Sequence, residues 1–245
     1  EIPALGHDFV SKVTKKATCT ADGSLTYTCS RCNETKTETI KATGHKWSNW
    51  KRTTAATVFK PEVQTRKCSA CNKSETRNIG KKLAPKATLN ASTVTLKVKQ
   101  STSKIKVSRL AKGDSVKSWT SSNKKIVSVN RKGTMKGLKA GKAKVTITLA
   151  SGKKQVISIT VQKTTVRTTK ITGLKSSVTV ARNKKLTLKP VISPITSQEK
   201  VTYSSSNKKS VTLNSKGVIT GKKKGTAYIT VKSGKIRKKV KVVVK

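Results

Sequence analysis

Ser118–Gly133 reads SWTSSNKKIVSVNRKG, and Thr202–Gly217 reads TYSSSNKKSVTLNSKG. The likeness extends outward from both stretches. TMKGLKAGKAKVTIT follows Gly133 where VITGKKKGTAYIT follows Gly217, and upstream Thr93-Val94-Thr95-Leu96 matches Ser177-Val178-Thr179-Val180. A repeat of this length is read before any single residue, because it means one folding unit used twice. The expected copies span 85–163 and 167–245, with a Thr-rich joint near Lys163–Thr169.

Within each copy the apolar period is two. Lys144–Leu149, Val156–Val161 and Lys239–Val242 alternate between aliphatic and polar or basic residues, and Gly and Asn interrupt them. Such runs are short half-buried strands joined by turns, and many of them with no helical period predict an all-β sandwich. Gly133 and Gly217 fall where a tight turn calls for positive φ. Trp119 and Tyr203 hold one repeat position, which predicts packing in both copies. Asn123-Lys124-Lys125 and Asn207-Lys208-Lys209 read as turns.

Trp119 or Tyr203 before Ser-Ser-Asn, then Val127-Ser128-Val129 or Val211, then Gly133, Gly137, Gly141 or Gly217, Gly221, Gly225, resembles the bacterial immunoglobulin-like group 2 (Big2) family. The resemblance implies two tandem Ig-like β-sandwiches of the kind used as spacer or attachment modules in surface proteins, adhesins and secreted enzymes.

A smaller repeat precedes them, expected at 1–45 and, in degenerate form, at 46–84. Ala17-Thr18-Cys19 through Cys29-Ser30-Arg31-Cys32 matches Ala56-Thr57-Val58 through Cys68-Ser69-Ala70-Cys71, and Gly6-His7 and Gly44-His45 stand ahead of the copies. This is similar to short "GH…ATCT…YTCxxC" repeats of Gram-positive surface proteins, and a small Cys-rich β-hairpin region is expected.

All five Cys and both His lie in this part. Two chemistries compete. In the first, Cys19, Cys29, Cys32 and His45 close a tetrahedral zinc site, with Cys68 and Cys71 as a second knuckle; a shared site of Cys29, Cys32, Cys68 and Cys71 is a variant of it. In the second, export to an oxidising space pairs the thiols as disulfides and leaves one over. Val58, standing where Cys19 stands in the first copy, deprives the second copy of its own four-ligand set. Trp47 and Trp50 are candidates for glycan stacking, with packing as the plainer role.

The chain carries 56 Lys and Arg against 9 acids, a formal charge of +47, and after Pro85 its only acids are Asp114 and Glu199. Soluble domains hold about 2 to 8 net charges, so solubility alone explains this poorly. An anionic partner is expected, with Lys124, Lys125, Lys208, Lys209, Lys222, Lys223, Lys224, Lys238 and Lys239 as its binding residues. A teichoic acid-like wall polymer or an acidic glycan fits an exported chain. Nucleic acid is disfavoured by the scarcity of stacking aromatics and the lack of a known motif.

No His follows His45, Asp114 and Glu199 do not correspond between the copies, and no phosphate-binding loop occurs, so an enzyme is not expected. Nor is membrane insertion, since no apolar run is long enough to span a bilayer. The reading is an extracellular, monomeric piece of a longer Gram-positive surface protein, held to the envelope non-covalently. A glycan-binding or host-adhesion module of a polysaccharide-degrading enzyme is the alternative.

Overall fold

A computed structural model describes residues 6–245, so the first five residues of the expected 1–45 repeat lie outside it. The chain divides into two compact units, Glu1–Ala84 and Pro85–Lys245. The described residues form strands, turns and loops; no helix is long and apolar enough to cross a membrane.

The first unit holds two three-stranded antiparallel sheets. One is β1 (Phe9–Lys15), β2 (Gly23–Cys29) and β3 (Thr35–Ile40); the other is β4 (Lys51–Thr54), β5 (Glu62–Lys67) and β6 (Ser74–Ile79), each with its middle strand in the centre. Each sheet is two successive hairpins sharing a strand, as the expected hairpin region requires. Thr and Lys dominate them, and every residue of β1 is exposed. The buried apolar residues described here are Cys19, Cys29, Cys68 and Val58. Thiols stand where a larger domain would place Leu and Ile, and so small a core needs another source of stability.

The second unit holds two sandwiches of the same design. The first comprises β7 (Thr88–Leu89), β8 (Thr93–Lys97), β9 (Ser101–Thr102), β10 (Val107–Ser108), β11 (Val116–Ser121), β12 (Val127–Val129), β13 (Met135–Gly137), β14 (Gly141–Leu149) and β15 (Lys154–Gln162). The second comprises β16 (Lys170–Thr172), β17 (Ser177–Val180), β18 (Lys185–Thr187), β19 (Val191–Ser193), β20 (Val201–Ser205), β21 (Val211–Leu213), β22 (Val218–Gly221), β23 (Gly225–Ser233) and β24 (Ile236–Val244).

Four-stranded sheets β11-β14-β15-β8 and β20-β23-β24-β17 correspond, as do three-stranded sheets β12-β13-β9 and β21-β22-β18. The first and last long strands of each copy pair in parallel: Val94 lies opposite Ile159 in one, and Val178 opposite Val242 in the other. That pairing joins the ends of each repeat, and the matching upstream segments in the sequence are these edge strands.

Alternation sets what is buried. Ala143, Val145, Ile147 and Leu149 of β14 meet Ile157, Ile159 and Val161 of β15 in one core, and Ala227, Ile229 and Val231 meet Val240, Val242 and Val244 in the other. Trp119 and Tyr203 are half-buried against these cores, as their shared position predicts. Each covers a glycine: a Cβ on Gly133 would lie 2.6 Å from a Trp119 ring carbon, and one on Gly217 would lie 2.7 Å from Tyr203. Both glycines have positive φ, 77° and 75°. The Asn130 and Asn214 side chains hold those turns by accepting from the second and fourth backbone N–H that follow them.

The loop after β19 ties the two sandwiches. Gln100 Nε2 donates to Thr196 O at 2.8 Å, Lys104 Nζ donates to Ile195 O at 3.0 Å, and the Thr196 hydroxyl donates to Thr95 O. Ile195 packs on the first core.

Candidate functional sites: a thiol–imidazole junction and a lysine surface

The two CxxC knuckles have one backbone geometry. Asn33 N donates to Cys29 O and Asn72 N to Cys68 O, both at 3.0 Å, and both Asn residues sit at φ 59°. The segment following each GH pair runs along its knuckle: Phe9 pairs with Cys29, and Trp47 forms a bridge with Cys68. Each His therefore meets the knuckle that follows it in sequence. His7 Nδ1 lies 3.3 Å from Cys32 Sγ, and His45 Nδ1 lies 3.3 Å from Cys71 Sγ.

The expected set of Cys19, Cys29, Cys32 and His45 is thereby corrected. Cys19 lies in the β1–β2 connection, at the end of β2 opposite to Cys29. The six steps of β2 separate those ends by about 20 Å at ~3.3 Å per residue. β3 runs back, Ile40 pairing with Gly23, and Thr43 N donates to Thr18 O, so the next repeat begins beside Cys19. Cys19 Sγ consequently sits 3.8 Å from Cys68 Sγ, and the ligand atoms of Cys19, His45, Cys68 and Cys71 all lie within 4.8 Å of one another. The ligand atoms of His7, Cys29 and Cys32 form a second cluster, likewise within 4.8 Å of one another. The shared site of Cys29, Cys32, Cys68 and Cys71 is corrected too, since the knuckles fall in separate clusters. His7 is the cluster member that the spacing left unassigned, although its Gly-His pair marked it.

All five thiols are free. The Arg31 backbone N–H, aided by His7 and opposed by burial, lowers the Cys29 thiol to about 6. Burial opposes ionisation of Cys68, yet hydrogen bonds from His45 and from the Ala70 and Cys71 backbone bring it to about 6 as well. Cys19 is pushed up to about 11 by burial and then by Cys71 and Cys68 beside it. Glu34 Oε2 lies 3.4 Å from His7 Nε2, on the side of the ring away from Cys32. Carboxylates in that position commonly orient a ligating imidazole.

Trp47 and Trp50 are half-buried, with the Arg66 guanidinium 4.7 Å from each ring centroid and Arg77 at 4.3 Å from Trp50. Glu75 holds Arg66 at 2.8 Å. Guanidinium groups thus stand over both rings, an arrangement in keeping with the packing role.

The lysines face outward. In Pro85–Lys245, 40 Lys and Arg stand against two acids, and every Lys there except the half-buried Lys97 is exposed. Lys208 and Lys209 precede Ser210, whose carbonyl accepts from Lys222 N at 2.8 Å and Lys223 N at 3.4 Å. Two loops distant in sequence thus gather Lys208, Lys209, Lys222, Lys223 and Lys224 at one end of the second sandwich. The first sandwich repeats the device: Ile126 O accepts from Leu138 N and Lys139 N, placing Lys139 beside Lys124 and Lys125. Lys238 and Lys239 lie elsewhere, opposite Val231 and Thr230, about 17–20 Å along β23 from its first residue at ~3.3 Å per residue. There Lys239 shares an outer face with Lys241, Lys232 and the 49% exposed Tyr228, residues that sequence patterning had not singled out.

Among the described residues the ion pairs all fall between His7 and Glu75. Both acids of the second unit are committed to the fold. Asp114 accepts from Ser115 N and from Ser151 N and Oγ, and Glu199 accepts from Thr168 N at 2.7 Å.

Two matches to the family model described as "Bacterial Ig-like domain (group 2)" cover residues 84–161 and 155–244. No curated protein matches the chain significantly. Among solved structures, domains 5–6 of the S-layer protein SbsC are similar at 19% identity, covering 66% of this chain and 99% of that one, TM-score 0.33. A GH10 xylanase from termite gut containing a bacterial Ig-like domain is similar at 21% identity, TM-score 0.24, over 28% of this chain. A longer SbsC chain is similar at 17% identity over 98% of this chain, TM-score 0.31. The chain spans 18% of that xylanase and 35% of that longer S-layer chain.

Proposed function

The chain belongs to the bacterial Ig-like domain (group 2) family, and from that premise we propose that it is a non-catalytic attachment and spacer region of an extracellular surface protein. Its lysine-rich sandwiches grip an anionic polymer of the cell envelope. The observation that carries the reading is the unbalanced charge of Pro85–Lys245, whose two acids are both occupied by backbone and hydroxyl donors. Unneutralised ammonium groups condense counterions or bind a polyanion, and releasing small ions to solution drives the latter. A polymer with phosphate at each repeat, such as the teichoic acid of a Gram-positive wall, matches rows of point charges on flexible stems. Lysine meets phosphate as a point charge, without the planar geometry that arginine demands. The loop clusters at Ser210 and Ile126 give each sandwich an end at which several ammonium groups converge.

The test is binding of the full chain to isolated walls in rising salt. Five phosphate contacts imply a log–log slope of about −3.5 on the single-strand scale, hence roughly a 280-fold loss between 0.1 and 0.5 M salt. Replacing Lys208, Lys209, Lys222, Lys223 and Lys224 by Gln should flatten that slope. Retention that is indifferent to salt, or equal on walls stripped of teichoic acid, would refute the proposal.

A further inference from the structure

The Cys/His repeats form a relay of zinc sites, we propose, in which each repeat lends a thiolate to the site of the one that follows. Cys19 of the first repeat closes the site of the second, made by His45, Cys68 and Cys71. Four ligands around one Zn²⁺ with Zn–S of about 2.3 Å stand about 3.8 Å apart sulfur to sulfur and about 3.5 Å apart sulfur to nitrogen. Cys19 and Cys68 are 3.8 Å apart, and Cys71 and His45 are 3.3 Å apart. A disulfide would need about 2.05 Å. Three Cys and one His with two sulfurs buried is a closed, structural donor set.

The first repeat contains the same half-site. His7, Cys29 and Cys32 repeat the imidazole–knuckle geometry, including the 3.3 Å contact, but among the described residues no thiol is placed there as Cys19 is placed at the junction. Among the described residues that half-site holds three ligands, and the relay predicts that it accepts a thiolate presented as Cys19 presents its own. The other end of the relay obeys the same rule. Val58 occupies the Cys19 position of the second repeat, buried at 8% exposure, as Cys19 is. Leu83 N donates to Thr57 O where Thr43 N donates to Thr18 O. Ala84 and Pro85 then stand in place of Gly44 and His45, and the chain carries no Cys or His beyond Cys71. Where no downstream site exists to receive a thiolate, none is offered. Isolated loss of a staple would not explain why the cysteine that disappears is the one donated forward.

The test uses the full chain, reduced and loaded with Zn²⁺ or Co²⁺. Native mass spectrometry should find two ions, one surviving a chelator that strips the other. Cys19→Ser should remove the resistant ion, whereas Cys32→Ser should remove only the labile one. Because Cys19→Ser risks misfolding, His45→Cys supplies a second reading: it should keep the resistant ion and move the Co²⁺ d–d bands to lower energy, as sulfur replaces nitrogen. A synthetic peptide of residues 15–23, carrying Cys19, should intensify the bands of the labile site alone. A metal-free chain four protons lighter, meaning two disulfides, would overturn the proposal. So would a resistant ion indifferent to Cys19→Ser, loss of that ion in His45→Cys, or a peptide without effect.

Discussion

Replacing Gly133 by Ala tests the packing logic of the sandwich at one atom. Two costs arise. The residue sits at φ 77°, where an L side chain costs about 1–2 kcal/mol. The added Cβ would also stand 2.6 Å from the Trp119 ring, which must shift within a packed core, adding about 1–3 kcal/mol. Together they predict a loss of about 2–5 kcal/mol. Gly152 provides the control, because it has φ 87° in the β14–β15 turn of the same sandwich with nothing within 4 Å of its Cβ position. Gly152→Ala should cost only the backbone part, about 1–2 kcal/mol. The gain in unfolded-state order from Gly→Ala is common to both. The difference between the variants, about 1–3 kcal/mol, corresponds to roughly 5- to 150-fold in the opening equilibrium. Hydrogen exchange at the amides of Ile147 and Ile159, strands whose opening follows global unfolding, reads that ratio in the full chain. Equal acceleration by the two substitutions would refute the claim that Trp119 requires a glycine beneath it. Gly217→Ala beneath Tyr203 should reproduce the effect in the second sandwich.

Ile229→Ala empties a fully buried position of the second core and should cost about 2–5 kcal/mol, read from exchange of the β24 amides. Ser233→Ala removes one of the two hydroxyl partners of the buried Thr168 and leaves Ser197 Oγ at 2.8 Å, so it should cost about 0.5–1.5 kcal/mol in denaturant unfolding. Although burial works against it, the Asp114 carboxyl is held below its ordinary range by hydrogen bonds from Ser151 and Ser115. Its contribution is therefore complete above the unfolded pKa of about 3.9 and lost as pH falls through the folded value. Asp114→Asn should flatten the acid limb of the first sandwich's stability profile, and an unchanged limb would remove Asp114 from the account.

Much of this molecule is written locally. Strand alternation, turn residues and the repeat of Ser118–Gly133 in Thr202–Gly217 depend on neighbours in sequence, so the sandwiches, the half-buried Trp119 and Tyr203 and the outward lysines could all be read from residue order. Charge was equally plain, since counting needs no geometry. What residue order left open was which distant groups meet. Cys19 is nearer in sequence to Cys29 than to Cys68, yet a strand is stiff and extended, and the length of β2 carries Cys19 away from its own knuckle while the return of β3 delivers His45 to it. The gathering of Lys208 with Lys222 around Ser210 has the same origin. Period and propensity act over a few residues and are legible in the chain; the closing of a site across two repeats depends on strand length and sheet return, which exist only once the chain has folded.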